Sequence, residues 1–133
     1  MLTDEKLLDA ARVARDKAYC PYSKFRVGAA IIDEQGRVHT GCNVENASYP
    51  QGSCAETGAI AAMVAAGGQR IVTIAVAGGA TQRSGACTPC GGCRQRIREF
   101  ADENTRIIVK DYDGEWHKFT MDELLPSSFH FES

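Results

Sequence analysis

The chain has 133 residues and a formal net charge of −2 at neutral pH. A chain of this length suggests one domain, residues 1–133, and can bury a core without disulfides. The charge balance disfavours a nucleic-acid partner, which usually requires a basic patch, and favours a small-molecule substrate. The N-terminus lacks the apolar run of a secretion signal, and no stretch approaches the ~20 apolar residues of a membrane span. We therefore expect a cytoplasmic protein that binds neither nucleic acid nor membrane.

Hydrophobic spacing and turn residues predict helices that alternate with strands. The predicted elements are a helix at 4–18, a hairpin with strands 27–32 and 37–42, a helix at 54–66, a strand at 71–77, a helix at 90–101, and strands at 106–110 and 115–119. This alternation indicates an α/β fold with helices on both faces of a sheet. We expect a three-layer α/β/α architecture with a central mixed five-stranded sheet, in which the middle strands are parallel.

The pentapeptide S-C-A-E-T at 53–57 begins the second predicted helix and allows two interpretations. In the first, Ser53 and Glu56 form a capping box, in which each side chain accepts a hydrogen bond from the backbone N–H of the other residue. In the second, Cys54 and Glu56 take part in chemistry. Four matching residues cannot decide between these interpretations, so other parts of the chain must.

A second signal is T-P-C-G-G-C at 88–93. Cys90 and Cys93 are three apart at a predicted helix start, so they share one helix face. Cys54 begins another helix, and helix starts that follow strands meet at one edge of an open sheet. Three thiolates could therefore converge there on a zinc ion, which takes thiolate ligands in tetrahedral geometry. Because helix N-termini carry partial positive charge, they also suit a centre with net negative charge.

Three protein ligands leave the fourth zinc position open, as in catalytic rather than structural sites. A water in that position becomes acidic enough to react near neutral pH. Glu56, two residues after Cys54, could then lie beside the zinc without binding it and exchange protons with that water. A three-cysteine site with a separate glutamate is the arrangement described for zinc deaminases.

Five segments make the chain resemble a homotetrameric cytidine deaminase of the cytidine/deoxycytidylate deaminase superfamily. The resemblance extends from Pro21 to Phe129. Its motifs are P-Y-S-K-F-R-V-G-A-A (21–30), N-V-E-N-A-S-Y-P (43–50), C-A-E (54–56), P-C-G-G-C-R-Q (89–95) and L-L-P-S-S-F (124–129). Each segment alone is moderately specific, whereas all five in this order are highly specific.

The resemblance implies a role for each of nine residues and an oligomer that shares active sites. One zinc ion per subunit would be bound by Cys54, Cys90 and Cys93, with Glu56 as the proton shuttle. Asn43 and Glu45 would bind the ribose hydroxyls, and Phe25 would line the nucleoside pocket. The backbone of Ala55 would contact the base. Phe129 would stack on the pyrimidine in a neighbouring subunit of the tetramer.

The reaction implied by the resemblance is hydrolytic deamination of cytidine, and of deoxycytidine, for pyrimidine salvage. A zinc-bound hydroxide would attack C4 of the base. Glu56 would carry protons to ring N3 and then to the leaving amine, which gives uridine and ammonia. A neutral nucleoside substrate suits a chain without a basic groove.

Three residues depart from the family pattern. Thr57 stands where many relatives carry an arginine that offsets thiolate charge, and Arg94 is a candidate replacement. Cys87, Cys90 and Cys93 form C-x-x-C-x-x-C, which resembles part of an iron–sulfur run. Such runs normally supply a fourth nearby cysteine, so a bystander thiol is favoured for Cys87. Phe131 could share the stacking role of Phe129.

Three other functions remain open from the sequence. The chain could deaminate a cytosine-containing antibiotic, although the N-V-E-N segment and Phe129 disfavour this. It could be a non-catalytic zinc module, for which Cys87 is the sole local candidate as fourth ligand. Nucleic-acid editing is a third possibility, which the charge balance disfavours.

Overall fold

A computed structural model describes residues 3–78, 89–110 and 116–131, with the side chains of residues 110 and 116 excepted; Cys87 lies outside this range. The helices are α1 (Asp4–Arg15), α2 (Ala55–Ala65), α3 (Gly91–Phe100) and α4 (Met121–Leu124), and a 3-10 turn spans Tyr49–Gln51. The strands are β1 (Val27–Asp33), β2 (Val38–Cys42), β3 (Ile71–Gly78), β4 (Arg106–Lys110) and β5 (Trp116–Thr120). In the part of the chain described, no helix has the length and apolar character needed to cross a membrane.

The five strands form one mixed sheet in the order β2-β1-β3-β4-β5, which confirms the predicted sheet. Strands β3 and β4 are parallel, with Thr73 opposite Arg106. The expectation of parallel middle strands is wrong for β1 and β3, which pair antiparallel. The reason is that β1 and β2 form an antiparallel hairpin. The crossover through α2 then makes β3 run parallel to β2 and therefore antiparallel to β1.

Helices cover both faces of the sheet, as the three-layer prediction requires. Helix α1 packs on one face, in a buried cluster that includes Leu7, Leu8 and Ile108. The opposite face packs against α2 and α3 in a larger cluster that includes Met63 and Ile97. These two clusters form the core and hold the starts of α2 and α3 against the same side of the sheet.

Two glycines allow the helices to approach the strands closely. A Cβ atom at Gly28 would lie 2.0 Å from the carbonyl oxygen of Ala11 in α1. A Cβ atom at Gly41 would lie 2.3 Å from the backbone nitrogen of Ala59 in α2. Both distances are far below van der Waals contact, so any larger residue would push the helix away. Gly41 therefore fixes how deeply α2, which starts beside Cys54, sits on β2.

A buried carboxylate connects the β1–β2 hairpin to the far end of α2. Asp33 is 1% exposed, and its side chain accepts hydrogen bonds from His39 Nε2 at 2.8 Å and Arg37 Nε at 2.9 Å. Arg37 Nη1 also donates to the carbonyl oxygen of Ala66, immediately after α2, at 2.7 Å. Burial acts to raise the pKa of Asp33, but hydrogen bonds from His39 and from the backbone lower it to about 2.

Helix α1 ends three residues before the predicted limit of residue 18. The side chain of Arg26 donates to the carbonyl oxygens of Asp16 at 2.9 Å and Ala18 at 3.2 Å. An arginine can satisfy carbonyl groups that a helix end leaves unpaired. The chain therefore leaves the helix early and runs toward the segment at 19–26 that borders the site.

Candidate active site

The start of α2 does not use the capping box that the sequence suggested. The N-cap is Cys54 rather than Ser53, and no side-chain hydrogen bond caps it. Ser53 instead lies in an isolated β-bridge with Val44, and its backbone nitrogen donates to the Val44 carbonyl oxygen at 2.9 Å. The capping interpretation is therefore wrong at this position. The chain has a complete capping box at α4, between Thr120 and Glu123.

Three cysteine sulfurs meet where α2 and α3 begin. Cys54 is the N-cap of α2, Cys90 is the N-cap of α3, and Cys93 lies in the first turn of α3. Their Sγ atoms all lie within 4.8 Å of one another. Cys93 is buried, Cys54 is half-buried and Cys90 is exposed. The predicted convergence of these sulfurs is present in the structure.

The environments of the three thiols differ. Burial raises the pKa of Cys54 and that of Cys93, and the nearby charge of Glu56 raises both further. The backbone N–H of Cys93 is the main cause of a lowered pKa at Cys90, because it stabilises the thiolate. Three thiolates this close repel one another, and a divalent cation held between them removes that repulsion.

The chemistry of this donor set fits zinc. Zinc takes thiolate ligands at about 2.3 Å in a tetrahedron, so sulfurs a few ångströms apart can share one ion. Cys54, Cys90 and Cys93 are the residues that could hold it. Both helix N-termini direct their partial positive charge toward the cluster, which suits a centre with three thiolates.

Glu56 lies within the first turn of α2 and is 5% exposed. Burial raises the pKa of its carboxyl group, and the positive charge of Arg96 acts in the opposite direction. A carboxyl group in a shielded place can hold a proton and release it again more readily near neutral pH. Glu56 therefore sits beside the sulfur cluster in surroundings suited to proton transfer.

A cavity of about 450 Å³ opens beside the cluster. Its lining residues come from the segment before β1, from the loop after β2 and from the starts of α2 and α3. They are Phe25, Val27, Asn43, Val44, Glu45, Asn46, Tyr49, Gly52, Ser53, Cys54, Ala55, Glu56 and Cys90. The four residues expected from the resemblance to line the nucleoside pocket within one subunit, Phe25, Asn43, Glu45 and Ala55, all border this cavity.

Asn43 and Glu45 are also bound to the segment that carries Phe25. Asn43 Oδ1 accepts from the Val27 nitrogen, and its Nδ2 donates to the Phe25 carbonyl oxygen, both at 2.8 Å. Glu45 Oε1 accepts from the backbone nitrogens of Tyr22 at 2.9 Å and Ser23 at 3.1 Å. The sequence did not indicate these contacts, because each joins residues far apart in the chain.

The C-terminal aromatic residues do not line this cavity. Phe129 is 68% exposed and Phe131 is 85% exposed, and their rings meet edge-on with centroids 5.4 Å apart. Gln95 Nε2 donates to the Phe129 carbonyl oxygen at 2.8 Å, which holds the tail against α3. The stacking role of Phe129 in another subunit therefore stays a prediction.

The candidate replacement for an arginine at position 57 donates hydrogen bonds to the backbone. Arg94 donates to the carbonyl oxygens of Pro89 at 2.7 Å and Leu124 at 2.8 Å. Arg96 instead directs Nη1 to Cys93 Sγ at 3.9 Å. The sequence analysis did not identify Arg96. Its position one helical turn after Cys93 places both residues on the same helix face, which was the available indication.

Comparison with known proteins gives the family. The family described as "Cytidine and deoxycytidylate deaminase zinc-binding region" matches residues 1–109. The chain belongs to this family. A cytidine deaminase of Sporosarcina psychrophila is 38% identical over 125 residues, which cover 94% of this chain and 90% of that protein. A cytidine deaminase of Halalkalibacterium halodurans is 39% identical, with 94% of this chain and 92% of that protein covered.

A solved structure within the family shows the same fold. The crystal structure of cytidine deaminase from Burkholderia pseudomallei has a TM-score of 0.89 and 40% identity to this chain, and the match covers 96% of this chain and 100% of that one. Together with the sulfur cluster, family membership identifies the chain as a zinc-dependent deaminase. The α/β fold and the zinc cofactor expected from the sequence are thereby confirmed.

Proposed function

We propose that this enzyme hydrolyses cytidine, and deoxycytidine, to uridine or deoxyuridine and ammonia, in pyrimidine salvage. The observation that carries the proposal is the cluster of Cys54, Cys90 and Cys93 at the wall of a nucleoside-sized cavity, with Glu56 buried beside it. The names of the relatives support the choice of substrate.

The three cysteines hold zinc, which when bound makes a water molecule nucleophilic at neutral pH. Glu56 takes a proton from the attacking water and donates one to ring N3 while the oxygen bonds to C4. Glu56 then delivers the second water proton to the exocyclic amine as the C4–N bond breaks. The atoms balance, because one water enters and one ammonia leaves.

The cavity supplies the binding groups for the nucleoside. Asn43 and Glu45 bind the ribose hydroxyls, the backbone of Ala55 contacts the base, and Phe25 packs against the nucleoside. Among the described residues, those that line the cavity include no lysine or arginine, and this favours a nucleoside over a nucleotide.

We further propose a homotetramer in which Phe129 of one subunit stacks on the pyrimidine bound by another. The exposure of Phe129 supports this proposal. We also propose a cytoplasmic location for this 1–133 domain, because the five cysteines in the described part of the chain are free thiols, as is usual in a reducing compartment.

The test is to incubate the purified zinc enzyme with cytidine and follow conversion to uridine by ultraviolet absorbance and ammonia release. We expect turnover that stops when zinc is removed and returns when zinc is added. Glu56→Gln should keep its zinc and lose about 10²- to 10⁴-fold in kcat, because general acid–base catalysis contributes that much.

A matched control is Glu99→Gln, which makes the same change at an exposed position of α3. It should behave as the unmodified enzyme. Absence of uridine, or full activity of Glu56→Gln, would contradict the proposal. If the enzyme preferred a cytosine-containing antibiotic to cytidine, the proposed substrate would be wrong and the proposed deamination chemistry would stand.

A further inference from the structure

Arg96 extends from α3 back toward the sulfur cluster. It lies one helical turn after Cys93, and its Nη1 atom is 3.9 Å from Cys93 Sγ. Long side chains in a helix point toward the N-terminus, which is the direction of the cluster. The position of the guanidinium group therefore follows from its place in α3, since residues three apart lie on one face.

The residue at position 92 leaves room for this contact. A Cβ atom on Gly92 would lie 3.3 Å from Arg96 Nη1, closer than ordinary van der Waals contact. With glycine at this position, the guanidinium group can lie over the first turn of α3. The cluster thus has a cationic group on its α3 side as well as two helix N-termini.

The site carries more negative charge than one zinc ion neutralises. Three thiolates around a divalent ion leave one excess negative charge, and Glu56 adds another when it is ionised. Thr57 contributes no charge to offset this excess. Arg96 is close enough to both Cys93 and Glu56 to interact with their charges.

We propose that Arg96 is a positioning residue for the zinc centre. Its guanidinium group donates to Cys93 Sγ and offsets the excess negative charge, so it increases zinc affinity. Groups that hydrogen-bond a metal ligand from outside typically change metal affinity 10- to 100-fold. Because Arg96 is exposed, we expect an effect at the lower end of this range.

The inference rests on the zinc site and not on the identity of the substrate. The measurement is the zinc dissociation constant of the purified enzyme, from competition with a chromophoric chelator. Arg96→Gln should bind zinc about tenfold more weakly than the unmodified enzyme. Arg96→Lys should retain most of the affinity, because it keeps the positive charge. Arg96→Ala, which removes the whole polar group, should match Arg96→Gln.

The matched control is Arg98→Gln, which removes the same charge from the same helix. Arg98 donates to Ser128 Oγ and to the Ala101 carbonyl oxygen, at the opposite end of α3 from the cluster. It should leave zinc affinity unchanged. The difference between the unmodified enzyme and Arg96→Gln should also shrink as salt increases, since salt screens a partly exposed charge.

Three results would overturn the inference. The first is a zinc affinity of Arg96→Gln within twofold of that of the unmodified enzyme. The second is that Arg96→Lys weakens zinc binding as much as Arg96→Gln does. The third is that Arg98→Gln weakens zinc binding as much as Arg96→Gln does. A zinc affinity measurement separates this inference from the substrate proposal, because zinc binding does not require cytidine turnover.

Discussion

Asn43 holds the segment that carries Phe25 through both ends of its side-chain amide. The oxygen accepts from the Val27 backbone nitrogen and the nitrogen donates to the Phe25 carbonyl oxygen. The side-chain amide therefore makes the pair of hydrogen bonds that a peptide group of a neighbouring strand would make. Glu45 holds the preceding residues Tyr22 and Ser23 through one carboxylate oxygen, which accepts from both of their backbone nitrogens. At the scale of residues, the two proposed ribose ligands also shape one wall of the cavity.

Asn43→Ala should therefore weaken substrate binding by two routes, the lost ribose contact and a looser wall. Each net hydrogen bond contributes about 1 kcal/mol, so we expect KM for cytidine to rise at least tenfold. The Val27 amide should also exchange its hydrogen faster. Steady-state kinetics and hydrogen exchange measure these effects.

The control for this prediction is Asn104→Ala, an exposed asparagine in the turn before β4. It should change neither KM nor exchange at Val27. An unchanged exchange rate at Val27 in Asn43→Ala would show that the amide does not hold the wall.

At the scale of elements, the contact between α2 and β2 positions Cys54 and Glu56. A side chain at position 41 would collide with the α2 backbone at Ala59, which cannot move without moving the helix. Gly41→Ala should lower the free energy of unfolding by about 1–3 kcal/mol, as overpacking usually does. Denaturant unfolding of the purified protein measures this change.

Gly91→Ala is the matched control, because nothing lies within 4 Å of a Cβ atom at that position. Alanine is also the better helix former, so stability should stay equal or increase. If Gly41→Ala were as stable as the unmodified protein, the close contact would not fix the depth of α2.

The buried carboxylate of Asp33 predicts a specific dependence of stability on pH. Its pKa is about 2 in the folded protein and near the ordinary value of 3.8 when unfolded. A lowered folded pKa means that the contribution is present above the unfolded pKa and is lost as pH falls through the folded pKa. A shift of this size corresponds to roughly 2 kcal/mol, lost between about pH 5 and pH 2.

The measurement is the unfolding free energy of the unmodified protein and of Asp33→Asn at several pH values. The difference in stability between them should be largest near neutral pH and should shrink as pH approaches 2. Both proteins keep every other carboxylate and the same zinc ligands, so the titrations of groups that do not contact Asp33 cancel in the difference. A constant difference across this range would contradict the assignment.

At the scale of the whole molecule, α2 presents apolar residues to solvent as well as to the core. Ala61, Val64 and Ala65 are exposed, and Val64 is 50% accessible. A helix that is apolar all round is normally buried on all sides. This surface supports the proposed homo-oligomer, since a second copy of the chain would cover it.

Val64→Glu should then dissociate the oligomer, because a carboxylate in a helix interface costs several kcal/mol to bury. Size-exclusion chromatography with light scattering measures the mass. Asn104→Glu adds the same charge at an exposed polar position and should leave the mass unchanged. A monomeric unmodified protein, or a Val64→Glu variant of unchanged mass, would contradict this surface as the interface.

Sequence reasoning captured what depends on local pattern and missed what depends on distant contacts. The starts of α2 and α3 follow from spacing, so the meeting of Cys54, Cys90 and Cys93 was predictable. The hydrogen bond from Arg37 to the Ala66 carbonyl oxygen, and the clash that reserves position 41 for glycine, depend on how elements pack. The antiparallel placement of β3 beside β1 was missed for the same reason, because the choice of neighbour is a property of the whole sheet.

The central claim is that zinc is held by three sulfurs and keeps one position for chemistry, with Glu56 beside it. X-ray absorption spectroscopy of the zinc in the purified enzyme tests it most directly. We predict three sulfur neighbours at about 2.3 Å and one oxygen or nitrogen neighbour at about 2.0–2.2 Å. Four sulfur neighbours would instead mean a closed, structural site completed by another cysteine, and would contradict the proposed enzyme mechanism.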